Sequence, residues 1–231
     1  TPIYCPDNNG VKASQVTIID PNLNTFFDDV DPTNTRSKYI GSQLDSTSGV
    51  RYPSGATIPE GVTIDPETGY ISGLDTESFS TNKYIDANIR TGVFQIAFTA
   101  PKNYNSNRVP TVFGMTGNSN LALTFNEKQL RFYYDLNQSI YLGSFAVNEK
   151  ITAKITVTET SISIQINDGD IQTVNVSTSG TAMLYAGKSN GNIYSLNNTK
   201  ATAYAYETYI NGVPLIEKIT KPQVSKQPNE V

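Results

Sequence analysis

The stretch ITAKITVTETSISIQINDGDIQTVNV, residues 151–176, determines the fold class of this chain. Apolar residues alternate with polar ones in two successive runs, first from Ile151 to Val157 and then from Ile162 to Ile166. A period of two places alternate side chains on opposite faces of a β-strand. The stretch therefore predicts consecutive antiparallel strands that share one apolar face.

Turns fix how these strands pair. A reversal at Glu159-Thr160 places three apolar pairs opposite each other: Val157 with Ile162, Ile155 with Ile164 and Ala153 with Ile166. A two-residue turn at Asp168-Gly169, with positive φ at both positions, places Ile166 opposite Ile171 and Ile164 opposite Thr173. A slip of one residue would move every isoleucine of this face into water, so the apolar pattern specifies the register.

Strand signals continue on both sides of this stretch. Further runs with strand character cover residues 83–86, 93–100, 111–115, 121–125, 130–134, 140–143, 182–187 and 201–210. Turn residues separate them about every eight to twelve positions, and Asn211-Gly212 predicts a hairpin turn. The chain, at 231 residues, is long enough to bury a full core as one domain. We expect an all-β, antiparallel two-sheet sandwich over residues 49–219.

Composition excludes several classes of function. The sequence has no histidine, which removes Ser-His-Asp and Cys-His catalysis and the commonest catalytic zinc sites. The net charge is −4 and the basic residues are scattered, so we expect no nucleic-acid partner. The single Cys5 forbids an internal disulfide. Fourteen tyrosines and no tryptophan favour stacking, glycan contact or protein packing.

Membrane insertion and secretion also lack sequence signals. No run of about 18 apolar residues is present, so no membrane-spanning segment is expected. The amino terminus lacks the basic and then apolar build of a signal peptide. Thr1 fits loss of an initiator methionine and processing of a precursor equally well.

The two ends of the chain differ in composition from the sandwich. Residues 1–48 have few strand signals beyond 15–19, and residues 220–231 are polar with two prolines. We therefore expect an extended N-terminal arm and a flexible tail that gain order from an assembly partner. Phe26 and Phe27 stand together in a polar stretch and are the expected assembly anchors.

One part of the arm has the spacing of a calcium loop. Oxygen-bearing side chains occupy loop positions 1, 3, 5, 9 and 12, at Asp20, Asn22, Asn24, Asp28 and Asp31. The glycine of an EF-hand loop is missing, because Thr25 stands at position six. A series of Asx turns explains the same residues, so we expect no high-affinity calcium site and no other cofactor.

The segment PEGVTIDPETGYISG, residues 59–73, reads as two short strands around a DPETG turn. It resembles a hairpin of the cadherin-like and immunoglobulin-like repeats found in bacterial and phage surface proteins. Too few residues precede it to supply another sheet. We expect a hairpin inserted into the sandwich rather than a separate domain.

The order of five further motifs supports a broader resemblance. These are KYIDANI…GVFQIAFTA (83–100), TVFGMTGNSNLALTF (111–125), KITVTETSISIQINDGD (154–170), MLYAGKSNGNIYS (183–195) and AYETYINGVPLIEKI (205–219). In this order they look like a concanavalin A-like, or laminin-G-like, jelly roll, similar to the variety in bacteriophage virion and tail proteins. Glucanases of that family carry an E-x-D-x-x-E strand, which is missing here. The resemblance therefore implies a member that is not an enzyme.

Two sets of residues are candidates for sugar binding. Lectins of the family bind sugar with loop Asp, Asn and aromatic residues, which points to Asn167, Asp168 and Asp170 at the central turn. The turn itself explains these residues without any ligand. Tyr204 and Tyr206 lie two positions apart on one expected strand and share a face, where they either stack on a sugar or pack in the core.

The resemblance implies a non-enzymatic structural protein of a phage virion, as capsid decoration, fibre or tail component. Its partners would be other virion proteins, copies of itself and glycans of the host surface. One alternative is a carbohydrate-binding receptor module, which binding to host polysaccharide would distinguish. The other is a polysaccharide-cleaving enzyme, which release of reducing ends would distinguish.

Overall fold

The computed structural model describes residues 17–20, 25–28, 50–75, 83–103, 109–186 and 193–218. Its compact units are residues 51–217 and, separately, residues 1–50 with 218–231. Within the described residues no helix has the length and apolar character needed to span a bilayer.

The first six strands of the described residues are short. They are β1 (Thr17–Asp20), β2 (Thr25–Asp28), β3 (Val50–Arg51), β4 (Thr63–Ile64), β5 (Tyr70–Ser72) and β6 (Ile85–Asp86). The long strands are β7 (Gly92–Thr99), β8 (Val109–Met115), β9 (Asn118–Asn126), β10 (Gln129–Asp135), β11 (Gln138–Ser144), β12 (Lys150–Val157) and β13 (Ser161–Ile166). They are followed by β14 (Gln172–Asn175), β15 (Ala182–Leu184), β16 (Ile193–Tyr194), β17 (Ala203–Tyr204), β18 (Tyr209–Ile210), β19 (Val213–Pro214) and β20 (Glu217–Lys218).

Two sheets form the sandwich, which confirms the predicted all-β antiparallel two-sheet fold and resembles the concanavalin A-like jelly roll. Among the described residues, the larger sheet has the order β14-β13-β12-β7-β17-β5-β4, with β18 and β19 beside β7. The smaller sheet has the order β11-β10-β9-β8-β15-β6, and β16 adds one short parallel pairing to β8. Two further ladders of two strands each pair β1 with β2 and β3 with β20.

Aromatic side chains connect the two sheets. Phe94 and Phe98 of β7 contact Phe113 and Phe125 of the smaller sheet, with ring centroids 5.7 and 6.0 Å apart. All four rings are fully buried. Such large apolar side chains supply most of the burial that stabilises a sandwich core.

The predicted pairing of β12 with β13 is confirmed residue by residue. Val157 lies opposite Ile162, Ile155 opposite Ile164 and Ala153 opposite Ile166. The backbone N–H of Thr158 donates to Ser161 O at 2.9 Å, which closes the reversal at Glu159-Thr160. The apolar pattern therefore determined both the register and the buried face.

The predicted turn at Asp168-Gly169 is wrong by one residue. Asn167 and Asp168 have φ of 48° and 57°, and the N–H of Gly169 donates to Ile166 O at 2.9 Å. Asn and Asp tolerate this left-handed conformation, so they occupy the two central positions of the hairpin. An unbroken ladder from these two central positions would pair Ile164 with Ile171, but Ile164 pairs with Gln172 and Ser163 pairs with Thr173, so the returning side has one extra residue. Ile171 lies before the first paired residue of β14 and is 65% exposed, outside the apolar face.

The predicted strand over 201–210 is interrupted. A 3₁₀ helix, Ala205–Glu207, separates β17 from β18. The strand predicted over 182–187 also ends early, because Tyr185 adopts a φ of 63° after Leu184. The Tyr185 ring is fully buried, and its hydroxyl reaches the backbone of Ala97 in the opposite sheet.

Both predicted hairpins at 59–73 and 211–212 are present. In the first, Ile64 pairs with Ile71, and β5 also pairs with β17, so the hairpin extends the larger sheet. In the second, Ile210 pairs with Val213, and Asn211 and Gly212 both have positive φ. These are the torsion angles that a two-residue hairpin requires.

Within its described residues, the arm has a pair of strands that the sequence indicated only in part. Thr17–Asp20 matches the expected strand signal, whereas Thr25–Asp28 lies inside the segment with calcium-loop spacing. The two strands pair with each other, with Asp20 opposite Thr25 and Asp28 opposite Thr17.

Candidate functional site

A pair of tyrosines, one exposed and one half-buried, marks the outer face of the larger sheet, where β5 and β17 lie side by side. Tyr70 and Tyr204 are direct partners in this ladder. Their ring centroids lie 5.3 Å apart at an interplanar angle of 89°, an edge-to-face contact. The Tyr70 side chain is 45% exposed, which leaves much of its ring open to a ligand.

A charged pair completes this surface. Lys150 of β12 places its Nζ 4.6 Å from the centroid of the Tyr204 ring and 2.6 Å from Glu207 Oε2. The ammonium is thus held by a cation–π contact and an ion pair at once. We call Tyr70, Tyr204, Lys150 and Glu207 the tyrosine patch. It combines an aromatic ring with a donor and an acceptor of hydrogen bonds.

The ionisation of Tyr204 limits what this patch can do chemically. Partial burial and the neighbouring Tyr70 raise the pKa of the Tyr204 phenol, and Lys150 opposes them. The phenol is therefore protonated at neutral pH and can donate a hydrogen bond.

The DPETG turn holds Tyr70 in place by docking on the 3₁₀ helix. Tyr206 donates its hydroxyl to Pro66 O at 2.5 Å, and the N–H of Ala205 donates to Gly69 O at 2.7 Å. Asp65 Oδ1 accepts the N–H groups of Glu67 and Thr68, and these bonds lower the pKa of its carboxyl. The turn is therefore held both by its own hydrogen bonds and by its contacts with the 3₁₀ helix.

No protein-family model matches the chain, and no curated protein matches it. Solved structures of similar fold include an alginate lyase of polysaccharide lyase family 7, at 12% identity, TM-score 0.44, 70% coverage of this chain and 83% of that one. Another is Trypanosoma rangeli sialidase, at 12% identity, TM-score 0.43, 69% coverage of this chain and 27% of that one. The LG1-3 region of the laminin α2 chain is a third, at 10% identity, TM-score 0.39, 73% coverage of this chain and 29% of that one. At such identities the likeness concerns the fold alone.

The structure separates the residues proposed for sugar binding. Tyr204 belongs to the tyrosine patch, whereas Tyr206 lies in the 3₁₀ helix and packs on the DPETG turn, so the two do not share a strand face. Asn167 uses its Oδ1 to accept the N–H of Thr152 at 2.8 Å. Its turn lies three strand positions from β17, roughly 14 Å away at the usual spacing. Asp168 and Asp170 are exposed there, and together with Asn167 they remain an untested prediction.

The residues proposed for calcium and assembly lie mostly outside what the structure describes. Asn22, Asn24 and Asp31 are outside the described residues, and Asp20 and Asp28 stand at opposite ends of the β1–β2 ladder. Within the described part of the chain, no group of three or more Asp, Glu or Cys residues is placed to hold a metal ion. Phe26 and Phe27 are paired through their backbones with Ile19 and Ile18. Their roles remain predictions.

A second exposed tyrosine on the smaller sheet offers a comparison. Tyr141 of β11 is 48% exposed, and the Arg131 guanidinium lies 5.7 Å from its ring centroid. Tyr141 thus matches Tyr70 in exposure, and its contact with Arg131 parallels the contact of Tyr204 with Lys150. It lies, however, on the other sheet. A substitution at Tyr141 is the natural control for one at Tyr70.

Gly69 is the position where the docking of the turn is most sensitive. Its φ is +73°, and a Cβ there would lie 2.3 Å from Cδ2 of the Tyr206 ring. Gly69→Ala should therefore destabilise the protein by more than the roughly 1–2 kcal/mol of left-handed backbone strain alone. Gly55→Ala is the control, because Gly55 has a φ of +74° and nothing within 4 Å of the added Cβ. Urea unfolding that gives equal losses for both variants would contradict the docking argument.

Proposed function

We propose that this chain is a non-enzymatic attachment module of a bacteriophage particle and that it binds a surface glycan through the tyrosine patch. The exposed ring of Tyr70 is the observation that most supports glycan binding. The apolar face of a sugar ring stacks on an aromatic side chain, and its hydroxyls bond to charged groups beside it. Lys150 and Glu207 supply such groups next to Tyr204.

The contacts of the glutamates support a role without catalysis. Glu159 pairs with Arg90, Glu207 pairs with Lys150, and Glu149 accepts the N–H of Ala146 at 2.7 Å. Most glycoside hydrolases use two carboxyl groups on either side of one bond, and these three are engaged separately. Incubation with bacterial polysaccharides should release no new reducing ends. Release that a single Asp or Glu substitution abolishes would favour the enzyme alternative.

The virion part of the proposal rests on the resemblance of the sequence motifs to those of phage tail and virion modules. In a particle, other virion proteins and copies of this chain would be its partners, and the arm with Phe26 and Phe27 would provide the attachment. Mass spectrometry of purified particles is expected to detect the chain at a stoichiometry of several copies. Its absence from particles that carry the gene would remove this part of the proposal.

Glycan binding is tested with two matched variants. Tyr70→Ala should weaken retention on immobilised bacterial cell-surface polysaccharides about tenfold or more, because a truncated aromatic anchor costs most of its local binding energy. Tyr141→Ala should leave retention unchanged, since its ring lies on the smaller sheet. Loss with Tyr141→Ala but not with Tyr70→Ala would place the site on that sheet instead. An absence of retention for the unmodified chain would overturn glycan binding altogether.

A further inference from the structure

A pocket of about 290 Å³ adjoins the tyrosine patch at the edge of the larger sheet. Tyr70 lines it, so one ring belongs both to the patch and to the pocket. One wall comes from β5 and the residues that follow it, including Ser72 and Asp75. The other wall comes from the chain between the 3₁₀ helix at Asn197–Thr199 and β17, including Lys200 and Thr202.

Asn197 ties the two walls together. Its Oδ1 accepts the N–H of Leu74 at 2.9 Å, and its Nδ2 donates to Ile71 O and Ala201 O at 3.3 Å each. Both ends of the side-chain amide are thus engaged within the protein, and they hold the pocket in one shape. A preformed pocket binds without the entropy cost of ordering its walls.

The remaining polar groups of the pocket have no protein partner in the described structure. Across the described ranges, no hydrogen bond or ion pair involves the Ser72 hydroxyl, the Asp75 carboxylate, the Lys200 ammonium or the Thr202 hydroxyl. Lys200 is also held in place by its backbone, with φ of 60° and its N–H donating to Asn197 O at 3.0 Å. The pocket therefore presents one strong acceptor, one strong donor and two hydroxyls beside an aromatic ring.

We propose that this pocket binds a single neutral pyranose residue with adjacent free hydroxyls, stacked on Tyr70. The inference rests on the proposed glycan-binding function, and it specifies the class of sugar and the pocket that binds it. Asp75 accepts hydrogen bonds from two neighbouring hydroxyls, and Lys200 donates to a hydroxyl or ring oxygen. The volume lies near the lower limit of small-molecule sites, about 300 Å³, which suits one sugar ring rather than an oligosaccharide.

Charge favours a neutral sugar over a uronic or sialic acid. The pocket contains one carboxylate and one ammonium, so it offers an acidic sugar no net attraction. The whole chain carries a net charge of −4, which repels an anionic polysaccharide at low ionic strength. A carboxylate that accepts from hydroxyls forms charge-assisted bonds, the stronger kind of hydrogen bond.

The test uses glucose, galactose, mannose and N-acetylglucosamine as neutral probes and glucuronic and galacturonic acid as anionic probes. Saturation-transfer NMR on the full chain should show contact with at least one neutral probe and with neither acid. Asp75→Asn should weaken binding of that neutral probe about tenfold, because it removes charge-assisted hydrogen bonds at an exposed position. Lys200→Gln should weaken it less, and added salt should have little effect.

Other outcomes separate this inference from the proposed function. Binding of an acid that Asp75→Asn strengthens, and that salt weakens, would overturn the neutral-sugar assignment. Polysaccharide retention that depends on Tyr70 but is unchanged in Asp75→Asn and Lys200→Gln would overturn the pocket and leave glycan binding intact. Retention of the chain on polysaccharide, without a saturation-transfer signal from any monosaccharide, would likewise overturn the pocket and leave glycan binding intact. Unchanged thermal midpoints for both variants show that the fold is preserved.

Discussion

Ile164→Asp should unfold the protein at room temperature. Ile164 lies at the centre of β13, is fully buried, and pairs with Ile155 on one side and Gln172 on the other. An ionised carboxylate there would have no partner in an apolar layer, which costs several kcal/mol. That loss is comparable to the whole stability of a typical domain, about 5–15 kcal/mol. Circular dichroism should show loss of the cooperative thermal transition.

Thr156→Asp is the matched control for this substitution. Thr156 lies in the adjacent strand, paired with Ser163 and Val93, and its side chain is on the outer face of the larger sheet. A carboxylate at that position stays in contact with water, so the thermal transition should remain and shift only slightly. Equal loss of folding in both variants would contradict the assignment of the buried face.

The sequence was sufficient to predict the central strands because one face is apolar without interruption. Ile155, Ile162 and Ile164 can all be buried only in one register, and the observed pairing is that register. Local turn chemistry was harder to predict. Both Asn167-Asp168 and Asp168-Gly169 can adopt the required left-handed torsions, so local sequence alone does not choose between them, and the structure uses Asn167-Asp168.

The tyrosine patch could be predicted only in part, because it depends on contacts between distant segments. The run over 201–210 reads as a continuous strand, yet it breaks where Tyr206 docks on Pro66, which is 140 positions away. That docking separates Tyr206 from Tyr204 and brings Tyr70 beside Tyr204. Tyr70 had one local signal, since it precedes the buried Ile71 in a short strand and so faces outward. Nothing local to Lys150 indicated its contact with Tyr204.

Tyr185 shows how the same break in the strand is compensated inside the core. Because Ala205–Glu207 leaves the ladder, Ala97 of β7 lacks a strand partner on that side. The Tyr185 hydroxyl takes that place: it accepts the Ala97 N–H at 3.3 Å and donates toward Ala97 O at 3.1 Å. Thr208 Oγ1 lies 2.5 Å from the same hydroxyl and donates to Tyr204 O at 2.8 Å. This buried network thus also supports the strand that carries the tyrosine patch.

Tyr185→Phe should therefore lower the free energy of unfolding by about 1–3 kcal/mol, the cost of leaving buried backbone groups without a partner.

Burial raises the pKa of the Tyr185 phenol above its usual 10.0, so the folded state keeps a proton that the unfolded state releases at high pH. The contribution of the Tyr185 phenol to the free energy of unfolding is therefore fully present below about pH 10 and declines as the pH rises further. Above pH 10, the free energy of unfolding measured in urea should accordingly fall less steeply with pH for Tyr185→Phe than for the unmodified chain. Tyr141→Phe, which removes an exposed hydroxyl bonded only to Ser144 among the described residues, should match the unmodified chain at every pH. If Tyr185→Phe unfolds at the same urea concentration as the unmodified chain at neutral pH, the hydroxyl does not replace the missing strand partner.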